Sequence, residues 1–316
     1  MNDDIAHFEL VKRQNKKIVR NLLREKHTMR VSAVAHETGL SYPTVSNLLK
    51  ELSETGEVFE DAQTVCRGGR PAVQYSLNAE YKSGIIMILE KDGLRYVVVD
   101  AFCNEIERGI FPLTDENITK EEFVSNVREL KQKYINIKTI ALGIPGVAIE
   151  GDIKFLDVFP DLEGSELAER LRNELGVQLV VENDSNAMAL AQINGNESFA
   201  HIIYLRKCMG TGIVINGSLF WGIGGYAGKF ESICQHLEEP VPAMVEVVKY
   251  ITAVLNLGKV YISADCPMDK DAIIDGLHAF FMEETIPEVI LVNDPVLVYE
   301  RGLKERLLII WREEVD

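Results

Sequence analysis

The stretch Val31-Ser-Ala-Val-Ala-His-Glu-Thr-Gly-Leu-Ser-Tyr-Pro-Thr-Val-Ser-Asn-Leu-Leu-Lys-Glu-Leu52 sets the fold of the N-terminal region. Val31 to Thr38 is a short helical run, and Gly39 breaks it with the positive φ that a tight turn needs. Ser41 then offers a hydroxyl to cap a second helix running to about Thr55. Val45, Leu48, Leu49 and Leu52 recur at helical spacing as that helix's inner face, and Ala35 is small where the two helices cross. The outer face carries Tyr42, Thr44, Ser46, Asn47 and Lys50. These side chains have the reach for base edges and phosphates, and Asn47 can pair bidentately with adenine. The pattern is a helix-turn-helix, and its outer face is the candidate DNA-binding surface.

The flanking segments extend this reading. From Gln14 to Lys26 the residues Ile18, Val19, Leu22 and Leu23 recur at helical spacing, which predicts one buried stripe and a free Lys/Arg face. Between residues 12 and 30, Lys12, Arg13, Lys16, Lys17, Arg20, Arg24, Lys26 and Arg30 stand against a single acid, Glu25. After Gly56, β-rich runs at Val58 to Phe59 and Val73 to Leu77 flank the loop Cys66-Arg-Gly-Gly-Arg-Pro-Ala72, which reads as a hairpin wing. Gly68 and Gly69 let the backbone approach closely, and Arg67 and Arg70 are placed to enter a narrow minor groove or clamp phosphate. Residues 1–80 are therefore expected to form a winged helix-turn-helix domain. Its expected partner is a double-stranded DNA operator, held by a homodimer or higher homo-oligomer whose recognition helices lie about one DNA turn apart.

Charge bears on the same question. The 316-residue chain has a formal net charge of -16, which at first sight repels phosphate. Residues 1–80, however, hold 11 basic and 11 acidic side chains, so the remainder carries the whole excess. A locally basic head on an acidic body suits one face to a polyanion, although a solvated helix face accounts for the charge alone equally well. No apolar stretch reaches the length of a membrane span, and Met1-Asn-Asp-Asp-Ile5 lacks the basic and apolar regions of a signal peptide. A cytoplasmic protein with no membrane partner is expected. Cys66, Cys103, Cys208, Cys234 and Cys266 are scattered, so neither zinc spacing nor a disulfide framework can be read, and buried free thiols are expected.

From Tyr81 onward, strands alternate with helices: strands at 85–89, 96–100 and 139–143, helices at 121–134 and 166–175, then strand 177–182 and helix 185–193. A hairpin-like pair follows at 201–206 and 212–215 with Asn216-Gly217 as its turn, Leu219 starts the following strand, and then come helix 241–255, strand 260–263 and a last helix at 297–311. The fold class is α/β with mixed sheets. Residues 81–192 are expected to form a first lobe and 193–316 a second, with the C-terminal helix returning to the first.

The order of motifs carries a resemblance. The helix-turn-helix and Gly-Arg-Pro-Ala wing precede Gly143-Ile-Pro-Gly146, Val181-Glu-Asn-Asp-Ser-Asn-Ala187, Gly210-Thr-Gly-Ile-Val-Ile-Asn-Gly217 and Gly224-Gly-Tyr-Ala-Gly228. Over nearly the whole chain this resembles the ROK family, whose sugar kinases and sugar-responsive repressors share an actin-like (ribonuclease H-like) two-lobed fold. The resemblance places Asp184 where the kinases have their general base, with Asn183 beside it as a hydroxyl-binding amide. Taken alone, the same pair reads more simply as a helix cap.

Departures from the family pattern argue against catalysis. Where its kinases have an Asp-x-Gly-Gly-Thr turn, this chain reads Ile88-Leu-Glu-Lys-Asp92, and a carboxylate at Glu90 in place of an amide cradle repels phosphate. Gly210-Thr-Gly212 remains, but such a pair more often serves a hairpin or close packing than a phosphate. The family's Gly-Glu-x-Gly-His appears as Gly228-Lys-Phe-Glu-Ser232, and its Cys-x-Cys-Gly-x-x-Gly-Cys run is missing, so no metal and no cofactor are expected. Cys234 and His236 are too few to replace that cage.

The expectation is a sequence-specific transcriptional regulator, acting as a repressor under the control of a sugar or sugar-phosphate-like effector. That effector would sit in a cleft near Gly146, Asp161, Asn183, Asp184 and Lys229. Lys229 in place of a glutamate favours an anionic ligand unless it pairs with Glu231 or another acid. An active sugar kinase using Asp184, and a body serving only as a dimerisation scaffold, are the competing readings.

Overall fold

Val19 and Leu23 of the first helix meet Val34, Val45, Leu48, Leu49 and Leu52 in the core of the N-terminal head. The computed structural model describes residues 2–61, 73–90, 93–113, 117–149, 152–156, 158–205, 208–230 and 239–314. The head consists of α1 (Asn2–Lys26), β1 (Thr28–Arg30), α2 (Val31–Thr38), α3 (Tyr42–Glu54), β2 (Val58–Asp61) and β3 (Gln74–Leu77). Gly39 ends α2 at φ 70°, and the Ser41 hydroxyl caps α3 by accepting from the Thr44 amide at 3.3 Å. The three strands pair antiparallel in the order β1-β3-β2. The loop between β2 and β3, with Cys66, Arg67 and Arg70, lies outside the described residues.

Two expectations for α1 are corrected. The helix begins at Asn2 rather than near Gln14, and Ile18, expected in the buried stripe, is 45% exposed. Part of its basic face is not free either. Lys12 and Lys16 both pair with Glu51 of α3, at 2.8 and 3.0 Å, and Arg20 pairs with Glu57. Arg24 donates to the Ala101 carbonyl at 3.3 Å. Packing α1 across α3 brings acids to these cations that lie 30 or more positions away in sequence, beyond the reach of any local pattern.

The body is built on two sheets of the same design. The first comprises β4 (Ser83–Glu90), β5 (Gly93–Val99), β6 (Glu105–Pro112), β7 (Ile137–Ile144) and β10 (Gln178–Asn183), in the order β10-β7-β4-β5-β6. Strands β4, β5 and β6 form an antiparallel meander, whereas β7 and β10 run parallel to β4. Helices α4 (Lys120–Lys133) and α5 (Glu166–Leu175) supply the crossovers that parallel neighbours require. The second sheet repeats this with β11 (Phe199–Leu205), β12 (Cys208–Ile215), β13 (Ser218–Leu219), β14 (Lys259–Ala264) and β15 (Glu288–Leu291), crossed by α7 (Pro240–Leu255) and α8 (Lys270–His278). A small hairpin of β8 (Gly146–Ile149) and β9 (Asp152–Leu156) projects beside β10, and α6 (Asp184–Leu190) follows that strand directly.

Sequence patterning missed β6, the β8–β9 hairpin, α8 and β15, and it misplaced one turn. Asn216 and Gly217, at φ 51° and 71°, join β12 to β13 rather than β11 to β12. One face of the first sheet packs Ile85, Met87 and Leu142 against Phe123 and Val127 of α4 and Leu167 and Leu171 of α5. The other face, with Ile86, Ile88 and Ala141, is covered by α6 and by the last helix, α9 (Pro295–Glu313), through Leu303, Leu307 and Trp311. Cys103 is buried as expected of a free thiol, but Cys208 is exposed. Among the described residues, no helix is long and apolar enough to cross a membrane.

Candidate functional site

On α3 the inner residues Val45, Leu48, Leu49 and Leu52 are buried, and this turns the intervening positions outward. Tyr42 is 57% exposed, Asn47 and Lys50 are exposed, and Thr44 and Ser46 are half-buried. Thr44 also shares a 2.8 Å hydroxyl contact with Ser41, so its side chain takes part in the cap. Lys50 has only a loose 4.0 Å pairing with Glu54, one turn along the same helix. With Lys12, Lys16, Arg20 and Arg24 turned inward, this face keeps polar side chains available to an external partner.

In the body, strand β10 hands directly to α6 at Asn183. The Asn183 side-chain oxygen Oδ1 caps the helix, accepting from the Asn186 backbone amide and the Ser185 hydroxyl at 2.9 Å each. Its side-chain nitrogen Nδ2 donates to the Gly146 carbonyl at 3.2 Å, and Lys229 Nζ donates to the same oxygen at 3.3 Å. One carbonyl therefore ties Gly146, Asn183 and Lys229 together, with Asp184 adjoining and accepting from the Ser185 amide at 2.7 Å. Asp161 does not join them through any contact among the described residues. It sits on the short turn Pro160–Leu162, whose Leu162 is buried, and accepts from Asn117 at 3.1 Å on the surface.

The positions linked to phosphate chemistry have local partners. Glu90 accepts from Arg95 at 2.6 Å, across the β4–β5 hairpin. Gly212 lies against α6, where a side chain would meet the Ser185 carbonyl and Ala189, so close packing requires glycine there. Glu231, Ser232, Cys234 and His236 lie outside the described residues.

Glu182 was quoted in a motif but given no role by sequence reasoning. Its Oε1 accepts from Asn186 Nδ2 at 3.1 Å and from the Asn183 amide at 3.2 Å, and Oε2 lies 3.4 Å from Arg306 Nε. Burial pushes this carboxyl pKa up, against the pull of Arg306 and of these hydrogen bonds. Arg306 lies over the Trp221 ring at 5.8 Å. Together they line a cavity of about 330 Å³ with Ala148, Ile149, Val181, Gly222, Gly224 and Gly225. Arg306 is more than 100 positions from Glu182, so only the fold brings it there.

Residues 94–238, which run from β5 through the Lys229 segment, match the ROK family. The chain carries a ROK-family domain. The xylose repressor of Caldicellulosiruptor bescii is 26% identical over 71% of this chain and 59% of that protein, so the chain spans about six-tenths of the curated relative it matches. A solved ROK family transcriptional regulator, described as a homologue of the Escherichia coli MLC protein, is 16% identical with a TM-score of 0.68, covering 96% of this chain and 99% of that one. The ROK hexokinase of Thermus thermophilus is 15% identical with a TM-score of 0.55 over 72% of this chain and 99% of that one. The repeated five-stranded sheets of the body are thus those of an actin-like fold, shared by a regulator and a kinase. Fold alone does not decide between the two activities.

Proposed function

We propose that this protein is a sequence-specific DNA-binding regulator, acting as a repressor, whose body senses a sugar or sugar-phosphate-like ligand without phosphorylating it. The observation that carries this reading is the division of labour on the head. Lys12, Lys16, Arg20 and Arg24 of α1 are used internally, whereas α3 turns Tyr42, Asn47 and Lys50 outward from a buried apolar face. A helix held firmly and presented in this way suits the major groove, with Arg67 and Arg70 of the wing as backbone or minor-groove contacts. A palindromic operator would take two copies of the chain.

In the body, Lys229 donates to the Gly146 carbonyl and Glu90 pairs with Arg95, so two positions that a kinase would give to sugar and phosphate are occupied by internal contacts. This supports a sensor over an enzyme. The similarity to a xylose repressor supports the regulatory reading. Selection of bound genomic fragments by the purified protein tests it. A palindromic site is expected, with Arg70→Ala weakening binding across all sequences and Asn47→Ala also relaxing base preference. Equal binding by parent and both variants would sink the assignment, as would ATP-dependent sugar phosphorylation that is lost in Asp184→Ala.

A further inference from the structure

α1 has two apolar faces, and the head uses one of them. Its 25 residues span roughly 37 Å at about 1.5 Å per residue. Among the described residues, the core of the head takes from it only Val19, Leu22 and Leu23, near its C-terminal end. Phe8, Val11 and Ile18 are left 67%, 43% and 45% exposed. Large apolar side chains repeated along a projecting helix mark a surface that another element covers.

Their spacing identifies that element as a helix. Phe8, Val11, Asn15, Ile18 and Leu22 follow one another at intervals of three, four, three and four, the a and d positions of a heptad repeat. With about 3.6 residues per turn, this seam lies about a quarter turn around α1 from Val19 and Leu23, so the head and a second helix can hold α1 at once. Because the head already keeps the C-terminal end of α1 helical, pairing does not carry the nucleation cost of a free peptide.

The polar residue within the seam decides the partner. In a parallel pair of identical helices an a residue faces its own copy, so two Asn15 amides satisfy each other. An antiparallel pairing or a shifted register sets that amide against an apolar side chain, which costs its hydrogen bond. The flanks also suit a like partner. His7, Gln14 and Asn21 on one side bring no carboxylate, ammonium or guanidinium to the seam. On the other side Lys12 is held by Glu51, and Val19 belongs to the head core. Arg13 and Lys17 occupy outer positions, so two copies meet without like charges opposed in the seam.

We propose that α1 is an interaction surface for a second copy of this chain, through a parallel two-helix seam of Phe8, Val11, Asn15 and Ile18 that ends at Leu22. The proposal deepens the regulator reading and rests on it for its use. Lys12 and Lys16 tie α1 to Glu51 of α3 at 2.8 and 3.0 Å, so pairing the α1 helices fixes the two α3 helices relative to each other, as a palindromic operator requires.

Cross-linking of the full chain without DNA tests the seam. Val11 faces its own copy within disulfide reach in the parallel pairing. Val11→Cys is therefore expected to form a covalent dimer under mild oxidation about tenfold faster than Leu10→Cys or Arg13→Cys, which lie on outer positions. Leu10 is apolar and 53% exposed but off the seam, so it separates heptad pairing from unspecific clustering of apolar surface. The unaltered chain, with its five cysteines, sets the background. Adding Ile18→Glu to Val11→Cys opposes two carboxylates in the seam and is expected to slow cross-linking about tenfold, whereas Ile18→Leu keeps the rate within about twofold. Circular dichroism checks that both variants stay folded. Equal rates at positions 10, 11 and 13, or a Val11→Cys rate that Ile18→Glu leaves unchanged, overturn the proposal. With no DNA present, either result leaves the regulator reading standing. A seam found in a chain that selects no genomic fragment stands while that reading falls.

Discussion

Gly302 of α9 rests directly on the backbone of Ala187 in α6, so closely that a Cβ at Gly302 would run into the Ala187 carbonyl. Glycine inside a helix ordinarily costs about 1 kcal/mol relative to alanine, so Gly→Ala at an open helical site is stabilising. Here the sign reverses. The atom in the way is backbone, and α6 is itself buried between both sheets, so neither side can yield cheaply. Gly302→Ala is expected to destabilise the protein by about 3 kcal/mol, the upper end for overpacking, as a fall in the thermal midpoint by calorimetry. A midpoint equal to or above the parent's would show that α9 seats differently.

The ion pairs of the head differ in worth because they differ in burial. Arg20 and Glu57 have side chains only 12% and 8% exposed, while Glu51, which serves Lys12 and Lys16, is 34% exposed. Removing one partner of a buried pair strands a charge and costs about 3–5 kcal/mol, whereas an exposed pair is worth about 1 kcal/mol or less. Arg20→Met should therefore lower stability far more than Glu51→Gln in urea unfolding. Equal losses would contradict the burial of the Arg20–Glu57 pair.

His201 sets an acid limit. It lies fully buried on β11, with Nε2 2.9 Å from the Ser263 hydroxyl, and desolvation lowers its pKa to about 3. A depressed pKa means that its contribution to stability is whole above the unfolded value near 6.5 and is lost as pH falls toward 3. In that window the unfolded chain takes up a proton that the folded one refuses, at about 1.4 kcal/mol per pH unit. Unfolding midpoints in urea at pH 7.5 and 5 should fall more steeply for the parent than for His201→Gln. Parallel slopes would mean that His201 protonates within the fold.

Salt dependence separates the cations of the head. If Lys50 meets phosphate, Lys50→Ala should reduce the slope of log K against log salt by about 1 for the isolated operator. Lys16→Ala should leave that slope unchanged, since its ammonium is held 3.0 Å from Glu51. The reverse result would move the DNA-facing surface from α3 to α1.

These outcomes turn on features of unequal legibility. The inner stripe of α3, the Ser41 cap and the turn at Gly39 are short-range physics, in which a repeat of 3.6 residues, one hydroxyl and one missing Cβ suffice. The parallel strands around β7 and β10 were legible as apolar runs. Edge strand β6 was not, because its exposed, charged alternation of Glu105, Glu107 and Arg108 resembles a loop. The Asn216–Gly217 turn was legible as a turn, but not as to which strands it joined.

The candidate site divides along the same line. Chain-local chemistry fixed the polar outer face of α3 and the Asn183–Asp184 step at the end of a strand, since neighbours in sequence define both. Tertiary structure alone decided that Lys12, Lys16, Arg20 and Arg24 of α1 are held by other elements, that Asp161 keeps company with Asn117, and that Lys229 and Asn183 share the Gly146 carbonyl. It alone placed Arg306 over Glu182 and Trp221. Charge and cavity shape depend on which surfaces meet after collapse, and a carboxylate brought to a cation from a distant segment leaves no periodicity in the sequence to announce it.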